Sequence, residues 1–397
     1  NCRVFEGKNV LVIGIGETAA DIVRDVSSVA KKTHLLMRSH PFFVPRIVAR
    51  TGVPVDAGTS RIRYIQNEDN IIVWFMALVY LAILFVFQIA GLFKFTWNEY
   101  PSNSEDSMGL KKGNFMDLDC RADEKVKDMI EKLNTEGGVT YLNKFATKNV
   151  SWMPSVIDGR TKMHVGEIDY FKKEGVVLKD STYLSVDTII LCIGFKDNFN
   201  FVSEKYRPKD NNVRNLYRHA FHPSAEGTLC YVGWARPTTG AIPACSELIA
   251  RVFASILSQK TTLPSNINNL IKEEKLCEEL FFYKGPNVQA LVNPTQYMDS
   301  LAQMIGAYVH PSSLLIYPFV FLKWQICTSL PARYRIVGPH SNKEKSFEWL
   351  QCAPAQFNLH WYVVMAAYKL IGCFGIVSGD FIYDYRRIFG NTKWLHE

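Results

Sequence analysis

Asn9-Val-Leu-Val-Ile13, running into Gly14-Ile-Gly-Glu-Thr-Ala19, is the stretch that decides the fold. A short apolar run of this kind forms a parallel strand buried on both faces. The glycine run that follows fits the pattern G-x-G-x-x-A. From Thr18 to Ala30, apolar residues fall at 19, 22, 23, 26, 29 and 30, the spacing of a helix with one buried face. Each small residue has a physical task at such an elbow. Gly14 permits the tight turn, Gly16 lets the backbone approach a pyrophosphate, and Ala19 lets the helix lie close on the strand. The unpaired N–H groups at the helix start, where Glu17 and Thr18 stand, form an anion site.

Working outward, His34-Leu-Leu-Met37 reads as a second apolar strand, and it ends in Arg38. An acid at that strand end holds a ribose 2′-hydroxyl, whereas an Arg accommodates a 2′-phosphate. Arg38 therefore points to NADPH rather than NADH. Asp21, in the first turns of the helix, is placed to interact with its N-terminus. Lys162–Cys192 alternates turns with short strands, among them Gly175-Val-Val-Leu178 bounded by Lys179-Asp-Ser181. Val186–Cys192 is the most apolar of these and reads as the most buried strand in the chain. It ends in Ile193-Gly194-Phe195, and Gly194 would let the backbone leave the sheet beside a ligand.

The 397 residues are 48% hydrophobic and 21% charged, which describes an ordered chain with a sizeable core. A net charge of +7 without a Lys/Arg block argues against nucleic acid as a partner. The nine cysteines are scattered and form no C-x-x-C, which fits reduced thiols facing the cytosol and no metal site. Asn149-Val-Ser151 reads as a chance sequon. No G-x-S-x-G or H-E-x-x-H is found, so no catalytic residue is assigned. His219 and His222 read as surface or core histidines. The chain opens on a strand without an initial Met, and it reads as a fragment or a truncated gene product.

Ile71–Phe93 is 23 residues of nearly unbroken hydrophobicity. As a helix it would be roughly 35 Å long, enough to cross a bilayer core. A single crossing would separate the first two strands from 186–192, which must share their sheet. A helix that dips in and returns, or lies in the interface, resolves that conflict. Leu314–Leu330, with Lys323 and Gln325, and Phe357–Val377, with His360 and Lys369, are expected as interfacial helices. A Lys at mid-membrane costs about 2.5–3.5 kcal/mol on insertion scales. Residues 98–113 read as a polar loop.

Several segments, in order, resemble the flavin-containing monooxygenases. Cys192-Ile-Gly-Phe195 is similar to that family's strand end Ala-Thr-Gly-Tyr. Val232-Gly-Trp-Ala-Arg-Pro-Thr-Thr-Gly-Ala-Ile-Pro243, Tyr297-Met-Asp-Ser-Leu-Ala302 and Tyr334-Arg-Ile-Val-Gly-Pro339 have counterparts there. The resemblance implies an α/β fold: a Rossmann-like NADPH-binding domain inserted in an FAD-binding domain, here incomplete, with hydrophobic membrane-associating helices. It implies an NADPH-binding domain at 1–195 with an insertion at about 65–115, part of an FAD-binding domain at 196–340 and a helical tail at 341–397. FAD and NADPH are the implied cofactors, held by Gly14, Gly16, Glu17, Thr18, Ala19, Arg38, Gly194, Gly233 and Gly240. The implied partners are molecular oxygen, a small molecule with a soft nitrogen or sulfur nucleophile, and membrane lipid at the cytosolic face of the endoplasmic reticulum.

Two departures stand out. The family's first FAD glycine motif and its F-x-G-x-x-x-H motif are not found, so little tight FAD binding is expected of the chain as given. Glu17 also stands where family members usually carry Asn. An Asn amide can donate toward a flavin, whereas an ionised Glu can only accept. The other readings are a Baeyer–Villiger type flavoprotein and an NADPH-binding membrane protein without oxygenase activity.

Overall fold

In the computed structural model, which describes residues 2–46, 61, 79, 124–136, 146–195, 198–238, 240–281, 291–328 and 330–353, Asn9–Ile13 forms strand β1. Helix α1 (Glu17–Ser27) follows, and strand β2 (Lys32–Met37) runs parallel beside β1 with Val12 opposite Leu35. The chain then passes through β3 (Phe42–Phe43), α2 (Glu124–Glu136), β4 (Ala146–Thr147) and α3 (Met153–Ile157). It returns as β5 (Thr161–Val165) on the far side of β2. An antiparallel meander of β6 (Ile168–Lys172), β7 (Gly175–Leu178) and β8 (Tyr183–Ser185) leads into β9 (Thr188–Leu191), which pairs parallel with β1. The main sheet therefore runs β5-β2-β1-β9.

Period-two alternation divides the strand residues between two cores. Val10, Val12, Leu35 and Met37 face α1, α2 and α3 and pack with Ala19, Val23, Val126 and Trp152. Leu11 and Leu36 face the meander and pack with Val176, Leu178 and Leu184. Val10, Leu11 and Val12 are all fully buried because β1 is covered on both faces.

The returning strand corrects an expectation. It spans 188–191 rather than 186–192, and among the described residues it is the edge of the sheet, so its residues are only partly buried. Leu191, Ile193 and Phe195 are exposed. A continuous apolar run signals burial on both faces only where a strand has neighbours on both sides. Asp187 ends the pairing by accepting from the Asn9 amide at 2.7 Å and donating its own amide back to Asn9 at 2.8 Å.

The chain divides into two units, Asn1–Val55 with Tyr100–Lys196 and Asp56–Glu99 with Asp197–Glu397. In the second, β10 (Arg236–Pro237) precedes α4 (Ile242–Leu257), and α5 (Ile267–Phe281) leads to β11 (Leu291–Val292) and α6 (Pro294–Met304). Then come α7 (Pro318–Ile326) and α8 (Lys343–Cys352). Its core is the facing stripe of α4 (Ala244, Leu248, Val252) against that of α6 (Met298, Leu301, Ala302).

The expected interfacial helix at 314–330 is not one helix. A 3₁₀ turn covers Pro311–Leu314, and α7 begins afresh at Pro318. Val320, Phe321, Leu322, Trp324 and Ile326 are buried in the protein, and Lys323 donates to the Ala353 carbonyl at 3.1 Å. Most of the apolar residues that would have met lipid are taken up by the unit's own packing, while Ile316 and Phe319 stay exposed. Among the described residues no helix is long and apolar enough to cross a membrane. Residues 71–93, Val79 apart, together with 98–113 and 357–377, lie outside the described residues.

Candidate functional site

The elbow after β1 has the geometry its glycines require. Gly14 has φ +108°, a conformation L side chains rarely adopt. Its amide donates to the Leu36 carbonyl at 2.9 Å, which ties the turn to β2. A Cβ at Gly14 would lie 2.3 Å from the carbonyl oxygen of Cys192, at the end of β9. Gly16 is the opposite case: it has φ −77°, and a Cβ there would meet nothing within 4 Å. Helix α1 has Gly16 as its N-cap and no side-chain cap, so its first N–H groups lack intrahelical partners. Thr18 is exposed beside them, and Ala19 is fully buried against the sheet.

Because the four strands are parallel, their carboxyl ends share one edge, where ligands bind in open α/β sheets. Four strand ends contribute: Gly14 after β1, Arg38 after β2, Gly166-Glu167 after β5 and Cys192–Gly194 after β9. Arg38 is exposed. Gly194 has φ +82°, and a Cβ there would meet no atom within 4 Å.

The Glu17 carboxylate has a partner within the chain. It accepts from the backbone N–H of Lys148, just beyond β4. The neighbouring turn is tied down in the same way: the Thr147 hydroxyl donates to the Ile15 carbonyl at 2.8 Å. Asp21 accepts from Arg46 at 3.1 Å and from the Asn149 amide at 2.9 Å, so it joins the 146–150 segment to α1. Asn149 is fully buried, which removes the sequon from any glycosylating surface. None of these contacts, each spanning more than twenty residues, is visible in local sequence.

In the second unit, Gly233 has φ +91° and Gly240 has φ +97°. Gly240 stands immediately before α4, whose N-cap, Ala241, supplies no side-chain hydrogen bond. This is a second uncapped helix start preceded by a glycine in a conformation that disfavours other residues. His219 is buried and shares a hydrogen bond of 2.8 Å with Glu278, while His222 accepts from the Ser224 amide at 3.2 Å. His219 thus ties the 213–225 turns to α5, and His222 caps the short turn that follows it.

Two of the segments that carry the family resemblance meet inside this unit. Tyr334 donates to Asp299 at 2.8 Å, and a Cβ at Gly338 would lie 2.6 Å from the Gly306 carbonyl oxygen. Arg251 donates to the carbonyls of Tyr334 and Pro339, at 2.9 and 3.2 Å. Tyr297-Met-Asp and Tyr334-Arg-Ile-Val-Gly-Pro are thus packing partners of each other.

The family model for flavin-binding monooxygenase-like proteins matches residues 1–77 and 126–345. The chain belongs to that family. FAD and NADPH are the family's cofactors. Among its relatives, 4-hydroxybenzoate brominase (decarboxylating) of Marinomonas mediterranea is 28% identical over 92% of this chain and 65% of its own length. Flavin-containing monooxygenase 3 of Homo sapiens is 25% identical over 85% of this chain and 56% of its own length. The chain therefore spans a little over half to about two thirds of these relatives. Among solved structures, OTEMO in complex with FAD and NADP is similar over 75% of this chain and 65% of its own, with 13% identity and a TM-score of 0.41.

Proposed function

We propose that this family member works as part of an NADPH- and FAD-dependent monooxygenase of small molecules. The observation that carries the reading is the elbow, with Gly14 pressed on Cys192 and α1 left uncapped above an open Gly16. On this reading the first unit is the NADPH-binding domain, and 196–340 belongs to the FAD-binding domain. The N–H groups of Gly16, Glu17, Thr18 and Ala19 hold the NADPH pyrophosphate, and Arg38 holds the 2′-phosphate. Gly233 and Gly240, both at positive φ, let backbone approach the flavin. Bound together, the two cofactors supply hydride and oxygen activation. The overall change consumes one NADPH, one proton and one O2 and returns NADP+, water and an oxygenated product. What the chain itself contributes is orientation and charge. The Glu17 carboxylate is held on the Lys148 amide.

The favoured substrate class is a soft nitrogen or sulfur nucleophile. The brominase relative supports a second reading, an electron-rich phenol. Membrane association at the cytosolic face of the endoplasmic reticulum rests on the composition of 71–93 and belongs to the same proposal. The test supplies the chain with FAD, NADPH and 18O2 and offers a thioether, a tertiary amine, a ketone, and 4-hydroxybenzoate with and without bromide. Labelled sulfoxide or N-oxide supports the first class. Labelled ester from the ketone makes it a Baeyer–Villiger enzyme, and brominated phenol supports the second reading. Failure to bind NADPH in calorimetry would remove the proposal altogether.

A further inference from the structure

Beside Arg38 stands an acid. Met37, the last residue of β2, is in register with Val165, the last of β5. The Gly166 amide donates to the Met37 carbonyl at 2.9 Å. Glu167 therefore emerges at the same sheet edge as Arg38, one strand away. The acid that ordinarily accepts from a ribose 2′-hydroxyl stands at the end of β2 itself, where this chain has Arg38; Glu167, one strand away, adds a negative charge that would repel a 2′-phosphate. That carboxylate is engaged elsewhere. Lys179, at the first position of the turn between β7 and β8, ion-pairs with Glu167, and the Lys179 amide donates to the Glu167 carbonyl at 2.9 Å.

We propose that Lys179 is a specificity-determining residue: by holding Glu167, it leaves Arg38 free to select a nucleotide carrying a 2′-phosphate. This rests on the NADPH reading of the elbow and extends it to a residue on the meander. The charges at this edge are Arg38 and Lys179 against Glu167, with Asp169 as a further acid acting on Lys179. Glu167 is held below the usual carboxylate range first by its hydrogen bond and charge interaction with Lys179 and more weakly by Arg38. Arg38 thus lies within electrostatic reach of the same carboxylate. Without Lys179, that carboxylate is left to Arg38 and competes with an incoming phosphate, which carries a charge near −2.

The test is calorimetric titration of the full chain, at low ionic strength, with adenosine 2′,5′-bisphosphate and with adenosine 5′-monophosphate. Neither probe requires FAD. Lys179→Met is expected to lower the preference for the 2′-phosphate by about three- to fivefold, the scale of an exposed ion pair. The effect should shrink at about 0.5 M salt. Glu167→Gln combined with Lys179→Met should restore the wild-type preference, because the competing acid is gone. An unrestored preference in the double variant would mean that Lys179 touches the phosphate itself and would overturn the proposal, as would no change in the single variant. Arg38→Ala serves as the separate control. If it leaves the preference intact, the 2′-phosphate reading has failed. If it abolishes the preference while Lys179→Met changes nothing, only the role of Lys179 has failed. Lys179 is largely exposed, so the variants should fold normally, and Lys179→Gln provides a second neutral replacement.

Discussion

The α-carbon of Gly14 faces the carbonyl oxygen of Cys192 so closely that a methyl group would stand 2.3 Å from it. The two residues are 178 positions apart, and their contact closes β1 onto β9 at the edge where the elbow opens. Gly14→Ala meets both this clash and a φ of +108°. A non-glycine residue in such a conformation costs about 1–3 kcal/mol before any clash. The melting temperature is expected to fall by about 5 °C or more, with NADPH binding lost alongside it. A variant as stable as the parent would mean that β9 does not close on the elbow.

Gly16→Ala separates folding from binding. Gly16 has φ −77° and open space above it, so alanine fits and the melting temperature should hold or rise slightly. The new methyl would stand where a pyrophosphate approaches the backbone, and NADP+ affinity should fall about tenfold or more. Unchanged affinity in calorimetry would mean the phosphates do not lie on this elbow.

Glu17 is expected to matter through Lys148. Glu17→Ala removes the acceptor of the Lys148 amide and should cost about 1 kcal/mol, with faster hydrogen exchange at that amide. Glu17→Gln keeps an acceptor oxygen and should preserve the protection. Equal exchange in all three proteins would show that the carboxylate does not hold this segment.

The elbow is legible in the sequence because local physics determines it: glycine spacing, an apolar strand and a helical stripe lie within about twenty residues. The meander is legible in part, since Gly175–Leu178 and the Lys179–Ser181 turn carry strand and turn signals. The edge position of β9 is not, because a run such as Thr-Ile-Ile-Leu carries no mark of whether one neighbour or two will pair with it. The bond from Glu17 to Lys148, 131 positions away, is equally invisible. The burial of α7 within Leu314–Leu330 is hidden for a different reason: an apolar stretch looks alike whether protein or lipid covers it.

His34 and His164, on adjacent strands, lie 3.1 Å apart between ring nitrogens. Burial, then His164 and the nearby Lys32 and Lys162, lowers the His34 pKa from 6.5 to about 4. Burial and Lys162 lower that of His164. The folded chain therefore refuses a proton that the unfolded chain accepts. Stability is at its full value above about pH 6.5 and declines as pH falls from there toward about 4. With both rings half-exposed, His34 accounts for about 1–2 kcal/mol of that decline after screening. His34→Gln should flatten the urea midpoint between pH 6.5 and 4 relative to the parent. Parallel profiles would show that the pair is not desolvated.

The contact between Asp299 and Tyr334 explains why two segments of family resemblance travel together. Asp299 is 8% exposed and pairs with Arg61, which is 4% exposed, while the Tyr334 hydroxyl donates to its other oxygen at 2.8 Å. The Arg61 guanidinium lies 4.4 Å from the centre of the Trp324 ring, which shields the pair further. Burial, with Asp299 beside it, keeps the Tyr334 hydroxyl far above its ordinary pKa, so it remains a donor at every working pH. Asp299→Asn retains shape and an acceptor but strips the counter-charge from a buried guanidinium, a loss of about 3–5 kcal/mol. Tyr334→Phe removes one neutral donor and should cost about 1 kcal/mol. Urea unfolding of the two variants tests that order. The double change Asp299→Leu with Arg61→Met should recover most of the loss, because an apolar pair of similar size carries no desolvation cost. If Asp299→Asn proved no more damaging than Tyr334→Phe, the charge would be reaching water, and the pair would be a surface contact rather than the tie between the two segments.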